Sequence, residues 1–216
     1  WGTGQMAWTK SIFVVDASVD VHSPREVLEA AARFCRPDRD IERVSGPLDI
    51  LDHAAPRLGA GTKIGFDCTP KWAGEEVGGV PVGAVLEEPE SHDRSRAHLT
   101  RLEAIEGVLE TRVSADAPGW LLVRIDRGLS EPDQAGLDWK VLEEIIALDP
   151  AEDDCGTLPF VLVLGRDVDL SDPVAPFFHW LANSDPGRDI LFDATGLRVG
   201  FACAPKTEEE IRHGEP

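Results

Sequence analysis

The sequence predicts an α/β fold made of two related strand-helix-strand units, packed as layered α/β/α domains. Three observations lead to this prediction. Short apolar runs alternate with amphipathic helical segments, a long stretch of sequence occurs twice, and a helix-start signal follows the first strand of each copy. The chain has 216 residues, of which 42% are hydrophobic, so it can bury a substantial core in one large domain or two small ones.

The internal repeat organises the chain. Residues 12–41 align without a gap on residues 161–190 at an offset of 149, and Gly61–Lys71 aligns on Gly196–Lys206 at an offset of 135. Six of the eleven positions in the second pair are identical. The second copy is therefore shorter by 14 residues between its two aligned segments.

Each copy is predicted to contain strands of a parallel sheet. The apolar runs Ser11–Val15 and Phe160–Leu164 have the composition of strands buried on both faces. Ile64–Cys68 and Val199–Cys203 are predicted as further strands, each with a glycine that marks a close approach of backbones.

A helix is predicted to follow the first strand of each copy. Ser23 and Glu26 form a capping box around Pro24, and Asp172-Pro173 repeats the cap and the proline. Prolines then end both helices. The residues expected to face inward are Val27, Leu28, Ala31, Phe34 and Cys35 in the first helix and Phe177, Trp180 and Leu181 in the second.

Between the copies the sequence predicts a loop or arm at 72–97, a helix near His98–Glu106, a hairpin of Val108–Val113 with Trp120–Ile125, and a helix at Leu137–Leu148. We therefore divide the chain into a first unit with an extended arm at 1–97, a second, degenerate unit at 98–206, and a frayed polar tail at 207–216.

Charge and composition exclude several classes of protein. The chain has 40 Asp and Glu against 21 Lys and Arg, a net charge of −19, which argues against binding to nucleic acid or to an anionic membrane. No apolar stretch is long enough for a membrane span. The four cysteines lie far apart without zinc-ligand spacing, which favours a reducing, cytoplasmic location.

Residues Asp16, Asp20 and His22 follow the first strand, at the edge where open α/β sheets bind ligands. Such a group could hold a divalent cation, but hydrogen bonding within the loop is the favoured interpretation, because only two carboxylates are in view. An apolar strand ending in Asp16 also resembles a receiver domain, but a second acidic residue is missing beside it.

Three other candidate sites receive structural interpretations. Gly59–Lys63 resembles half of a phosphate loop but lacks its spacing, so a turn is favoured. The charged pairs Arg39-Asp40 and Arg188-Asp189, repeated after both helices, are interpreted as structural pairing at a helix exit. His53 is a lone histidine for which a structural role is the default. No catalytic residue and no metal ligand is assigned.

Several motifs occur in the order found in one family. The run WGTGQMAWTKSIFVVDASVDVHSPREVLEAAARFCRPDRDI, then GPLDILDHAAP and GTKIGFDCTPKWAGEE, resembles the carboxyl-terminal domain of the UbiD decarboxylases. The second copy resembles the extra carboxyl-terminal repeat of longer members. The resemblance implies a UbiD carboxyl-terminal-domain-like fold within a larger enzyme, and since the chain begins at Trp1 without Met, we expect it to be a piece of something longer.

The resemblance also implies a function. UbiD enzymes use prenylated FMN with a divalent metal to remove CO2 reversibly, without oxidation, from aromatic or unsaturated carboxylic acids, often in ubiquinone or menaquinone biosynthesis. Their catalytic residues and metal ligands belong to an amino-terminal flavin-binding domain, so this chain alone is expected to be inactive and to bind no cofactor. Its expected partners are that domain and further copies of itself, in the cytoplasm or peripheral to the membrane.

One residue is a candidate for cofactor contact by this resemblance. Lys10 matches a basic position at the start of the first strand and is expected to reach the cofactor phosphate, with a surface lysine as the ordinary alternative. A second hypothesis for the whole chain is a free-standing oligomerisation or interaction module, derived from such an enzyme and without chemistry.

Overall fold

The computed structural model describes residues 1–2, 4–72, 74–77, 80–81, 95–128, 134–148 and 158–213. Within them the fold is mixed α/β, with two main sheets and flanking helices. Most of the predicted arm, and Cys155, lie outside the described residues. In chain order the elements are a 3₁₀ helix at Gly4–Trp8, β1 Ser11–Val15, α1 Pro24–Phe34, α2 Pro37–Asp40, β2 Ile41–Pro47, β3 Ala60–Cys68, β4 Glu76–Val77, β5 Val80–Pro81, α3 Ser95–Leu102, β6 Val108–Val113, β7 Trp120–Ile125, α4 Leu137–Ile146, β8 Phe160–Leu164, α5 Ala175–Asn183, β9 Ile190–Phe192, β10 Val199–Ala202 and α6 Glu208–His213.

The two sheets share one local topology. The first sheet has the order β1-β3-β2, and the second has β6-β7-β8-β10-β9. In the first sheet β1 runs parallel to β3 and β2 antiparallel to it, and β8, β10 and β9 repeat these directions. The hairpin of β6 and β7 extends the second sheet, with β7 parallel to β8.

The register of the strands also agrees between the sheets. Phe13 pairs with Phe66 in the first sheet, and the residues aligned with them, Leu162 and Phe201, pair in the second. Because the β1–β3 and β8–β10 pairs keep their register over their whole length, the same alternation of faces holds in these strands of both sheets.

Local sequence explains where α1 begins. The hydroxyl of Ser23 accepts a hydrogen bond from the Glu26 N–H, and Pro24 holds the first helical position. The Glu26 carboxylate reaches back to the Asp20 N–H, 2.9 Å away, rather than to the Ser23 N–H of a full capping box. The predicted helix start is therefore confirmed at this copy.

The second helix differs from the prediction. α5 begins at Ala175 and has Pro176 in its first turn, two residues later than the cap predicted at Asp172-Pro173. The Asp172 carboxylate still accepts hydrogen bonds from the N–H groups of Val174 and Ala175. Leu181 does not face inward, since it is 40% exposed.

Three further predictions were wrong in part. β1 is an edge strand, so it is not buried on both faces: Val14 is 52% exposed. The helix predicted near His98–Glu106 is α3, Ser95–Leu102. The tail is not frayed throughout, because Thr207 and Glu210 form a capping box that starts α6.

One hydrophobic core lies between the two sheets. Phe66 of β3 is 1% exposed, stacks on Phe13 at 4.5 Å between ring centroids, and meets Phe160 and Trp180 of the second unit edge-on. The indole N–H of Trp120 donates to the Leu28 carbonyl across the same core. The two units therefore stabilise each other through one continuous cluster.

A second core covers only the other face of the second sheet. There α4 packs against β8 and β10 through apolar residues that include Val141, Leu142 and Ile145. The backbone of Gly200 approaches this helix so closely that a Cβ would lie 2.2 Å from Leu142 Cδ1. At the aligned position of the first sheet, Gly65 lies instead against the Trp1 ring.

Candidate functional site

Lys10 lies just before β1 and joins the two units. Its Nζ is 2.9 Å from the Asp52 carboxylate and donates to the Ser184 carbonyl at 3.1 Å. The side chain is only 12% exposed. Its role toward a cofactor phosphate stays a prediction, and a phosphate would have to compete with both of these partners.

The loop after β1 is held by its own hydrogen bonds. Asp16 accepts from the Ser18 N–H, and Asp20 accepts from the His22 N–H, each at 2.9 Å. The Ser18 hydrogen bonds lower the pKa of Asp16. Asp169, aligned with Asp20, accepts from Ser171 in the same way. These contacts agree with the loop interpretation, and within the described residues there is no group of three His, Cys, Asp or Glu that could hold a metal.

The half phosphate loop separates into a turn and a strand. Gly59 has a φ of 71°, in the left-handed region that favours glycine, and Ala60 already belongs to β3. Lys63 is 2% exposed and donates to the carbonyls of Ala7 and Thr9, so the amino-terminal segment covers it. Burial lowers the pKa of Lys63.

The remaining candidate residues are His53 and the cysteines. His53 is exposed in a turn after the Lys10 partner Asp52. Cys35, Cys68 and Cys203 are buried and not in disulfides. A hydrogen bond with Cys68 together with burial raises the pKa of Cys35, and burial raises that of Cys203. Thiolate chemistry is therefore disfavoured at these two cysteines.

The repeated Arg-Asp pairs have the same geometry in both units. Arg39 donates through Nε and Nη2 to both oxygens of Asp40, and Arg188 does the same to Asp189. Each Asp also accepts from the backbone N–H four residues earlier. These bidentate contacts fix the turn between helix and strand, as the structural interpretation predicted.

A lysine completes each of these clusters. Lys71 Nζ lies 3.8 Å from Asp40 and 2.8 Å from Asp67. Lys206 Nζ also lies 3.8 Å from its aspartate, Asp189. The residue aligned with Asp67 is an alanine, so the second lysine takes its close carboxylate from another element.

That carboxylate is Asp138, in the first turn of α4. It lies 2.5 Å from Lys206 and 2.6 Å from Arg127, and all three side chains are at most 6% exposed. Arg127 also contacts the Glu210 carboxylate at 2.6 Å. Because Glu210 belongs to α6, this network ties the carboxyl-terminal helix to the second sheet.

A cavity of about 360 Å³ lies beside this network. It is at the carboxyl end of β10, where α4 and α6 meet, and its lining includes Trp139, Arg188 and Lys206. The Arg188 Nη1 atom is buried and has no hydrogen-bond partner within the described residues. The lining also includes the carboxylates of Asp138, Asp189, Glu209 and Glu210.

Sequence reasoning missed most of this network. Lys206 was visible as the lysine aligned with Lys71, and the Thr207-x-x-Glu210 spacing was a capping-box signal. Nothing in the sequence marked Arg127 or Asp138, because they come from segments outside the repeat.

Comparison with known proteins finds a family match for the first part of the chain. Residues 1–68 match the family described as the 3-octaprenyl-4-hydroxybenzoate carboxy-lyase carboxyl-terminal domain. The resemblance to the UbiD carboxyl-terminal region is thus confirmed for residues 1–68. The matched residues contain β1, α1, α2, β2 and β3, which together make the whole first sheet and its helices.

An uncharacterized protein of Archaeoglobus fulgidus is 42% identical over 76 residues, which cover 35% of this chain and 16% of that protein. Two structures of the vanillic acid decarboxylase of Sedimentibacter hydroxybenzoicus in its open form are also similar. Their TM-scores are 0.40 and 0.39, at 11% and 12% identity over 70% and 77% of this chain. The chain spans 35% and 38% of those two structures. It therefore corresponds to a minor part of every relative named here.

Proposed function

We propose that this chain is the carboxyl-terminal part of a non-oxidative (de)carboxylase that acts on an aromatic or unsaturated carboxylic acid. The observation that carries the proposal is the match of residues 1–68 to a carboxy-lyase carboxyl-terminal domain. The description of that family names 3-octaprenyl-4-hydroxybenzoate as the substrate, and we propose that the reaction belongs to ubiquinone or menaquinone biosynthesis. We propose a cytoplasmic location; among the described residues, none of the helices is both long and apolar enough to span a membrane.

The chemistry would require prenylated FMN, which acts as an electron sink when it is bound. The described residues fit a supporting role better than a flavin site. Lys10, the proposed phosphate contact, already uses its ammonium on Asp52 and the Ser184 carbonyl, and Lys63 is covered by the amino-terminal segment. We therefore propose that the flavin and its metal are held by an amino-terminal domain of the same enzyme.

We further propose that the outer face of the first sheet contacts that flavin domain. The outer face is the side of β1, β2 and β3 that points away from the shared core. Val14 and Val44 on this face are 52% and 42% exposed, and Trp8 beside it is 51% exposed. In the second sheet the aligned face is covered by α4. Trp1 lies on Gly65 between Val14 and Val44, and the carboxylates of Glu42 and Asp67 share the face, so we propose its apolar part as the contact for a protein partner.

The enzyme that contains this chain can be tested with a pair of matched variants. Val14→Lys places a charge on the outer face, whereas Phe178→Lys places the same charge at an exposed apolar position on α5. We expect Val14→Lys to weaken association with the flavin domain and lower decarboxylase activity at least tenfold, and Phe178→Lys to change neither. Equal effects of the two variants would refute the outer face as the contact surface.

We also propose that the second unit is a degenerate copy of the first. Equal strand order, equal register and the paired Arg-Asp geometry support a duplication. The same proposal includes two further parts. One is the domain division at 1–97 and 98–206, and the other is a homo-oligomeric assembly. Light scattering on residues 1–216 measures the assembly: an oligomer supports it, and a monomer at all concentrations contradicts it.

A further inference from the structure

Glu210 of α6 contacts the second unit through both oxygens of its carboxylate. Its Oε2 accepts from Arg127 Nη2 at 2.6 Å, and its Oε1 accepts from the Gly136 N–H at 2.9 Å. Oε2 also accepts from the Thr207 N–H at 2.7 Å within its own helix. Two of these three donors belong to the second unit and would lose their partner without Glu210.

The Gly136 N–H is at the amino terminus of α4, a helix of ten residues. The N–H groups at such an end attract anions, because the helix dipole places partial positive charge there. No side chain of α4 caps this end. Glu210 supplies the anion from another helix.

The charges of the network also favour an anion at the position of the Glu210 carboxylate. Arg127, Lys206 and Arg188 are ion-paired with the carboxylates of Asp138, Asp189 and Glu210. If Glu210 leaves, Arg127 keeps Asp138 as an ion-pair partner, but its Nη2 loses its carboxylate and the buried network loses one negative charge. A buried charge without a partner is costly, so another anion would be drawn into its place.

The surroundings leave room for such an anion. Arg127 is 1% exposed, and its Nη1 donates to the Asp138 carboxylate at 2.6 Å, so Asp138 holds the guanidinium in position. The cavity of about 360 Å³ adjoins Glu210 and Gly136 and is lined on another side by Trp139 and Ala202. Arg188 lines the same cavity and has a buried nitrogen without a hydrogen-bond partner in the described structure.

We propose that this region is a binding site for a small carboxylate, which Glu210 fills in cis in the structure. The carboxylate of a ligand would take the place of the Glu210 side chain on Arg127 and the Gly136 N–H. Its apolar part would lie in the cavity along Trp139. This site lies in the second unit and does not depend on the function proposed above.

The test uses the full chain with Glu210→Ala, and the probes are acetate and benzoate with chloride at equal ionic strength. We expect each carboxylate to raise the melting temperature of Glu210→Ala saturably, by roughly 4 °C or more, and chloride not to do so. Glu144→Ala is the matched control, since Glu144 is an exposed glutamate on α4 that does not line the cavity. The control and the wild type should respond alike to all three salts.

The result that overturns the proposal is a response of Glu210→Ala no larger than that of Glu144→Ala. It would mean that Glu210 is only a structural cap for α4 and α6. If Glu210→Ala does not fold in chloride, folding restored by acetate supports the site. Failure to fold in either salt contradicts it.

Discussion

Asp138 lies 2.5 Å from Lys206 and takes the place that Asp67 takes beside Lys71 in the first unit. The residue aligned with Asp67 is Ala202, and a carboxylate from α4 lies beside Lys206 instead. The lysine kept its other contacts, to the carbonyls two and four residues before it, in both copies. The two lysines therefore have equivalent surroundings, although the close carboxylate of Lys206 comes from a helix outside the aligned segments.

Removal of that carboxylate should be costly. Asp138→Ala leaves Lys206 and Arg127 without their shared partner, and we expect a loss of about 3 kcal/mol in the free energy of unfolding. The exposed pair of Lys140 and Glu106 is the control, and Glu106→Gln should cost less than about 1 kcal/mol. Urea unfolding at neutral pH measures both. Equal costs would mean that the buried network contributes no more than a surface pair.

The two aligned glycines should tolerate substitution differently. Gly200→Ala places a methyl group against buried Leu142, with Ile146 also near, so we expect a loss of about 1–3 kcal/mol from overpacking. Gly65→Ala meets the Trp1 ring at 3.2 Å, and we expect a smaller loss because the amino-terminal segment can move. Thermal unfolding of both variants gives the comparison. A larger loss at Gly65 would contradict the packing described for α4.

The shared core predicts that the two sheets unfold together. Phe66 contacts rings from both units, so Phe66→Ala should cost about 3–5 kcal/mol and should lower the stability of both sheets at once. Phe178→Ala, at a position 64% exposed, should cost less than about 0.5 kcal/mol. Hydrogen exchange of β3 and β10 reports each sheet separately. Protection lost in the first sheet alone would show that the units are independent.

The network around Glu210 predicts a specific dependence on pH. Burial alone would raise the pKa of Glu210, but hydrogen bonds from the Thr207 N–H, Arg127 and the Gly136 N–H lower it to about 2. The stabilisation from this depressed pKa is fully present above the ordinary value of 4.5 and is lost as the pH falls toward about 2.

Wild type should therefore be more stable than Glu210→Gln at pH 6, and the difference should shrink as the pH falls from 4.5 toward 2. Chemical unfolding of both proteins across this range measures it. A difference that does not change with pH would mean that the charge of Glu210 contributes nothing.

Periodicity and turn chemistry in the sequence predicted much of the fold. The bounds of β1, β6, β7 and β8 agree with the predicted segments, because their apolar runs are bounded by clear turn residues. The start of α1 was predictable from Ser23 and Pro24. The start of α5 was not predictable from Asp172. The Asp172 carboxylate accepts hydrogen bonds from N–H groups in a bend, and the helix begins only at Ala175.

Tertiary contacts explain what could not be predicted. An apolar run such as Ser11–Val15 has the same composition at the edge of a sheet as at its centre, so the exposure of Val14 depends on what lies beside β1. The Arg127, Asp138 and Glu210 side chains come from three separate segments. No spacing in the sequence brings them together, whereas the Arg-Asp pairs are local and were recognised.

The most direct test of the proposed function is a titration of residues 1–216 with prenylated FMN, followed by the absorbance of the bound flavin. If the flavin site belongs to another domain of a decarboxylase, no stoichiometric binding occurs, and binding appears when the flavin domain is added. Saturation at one flavin per chain by residues 1–216 alone would contradict the proposed division of roles.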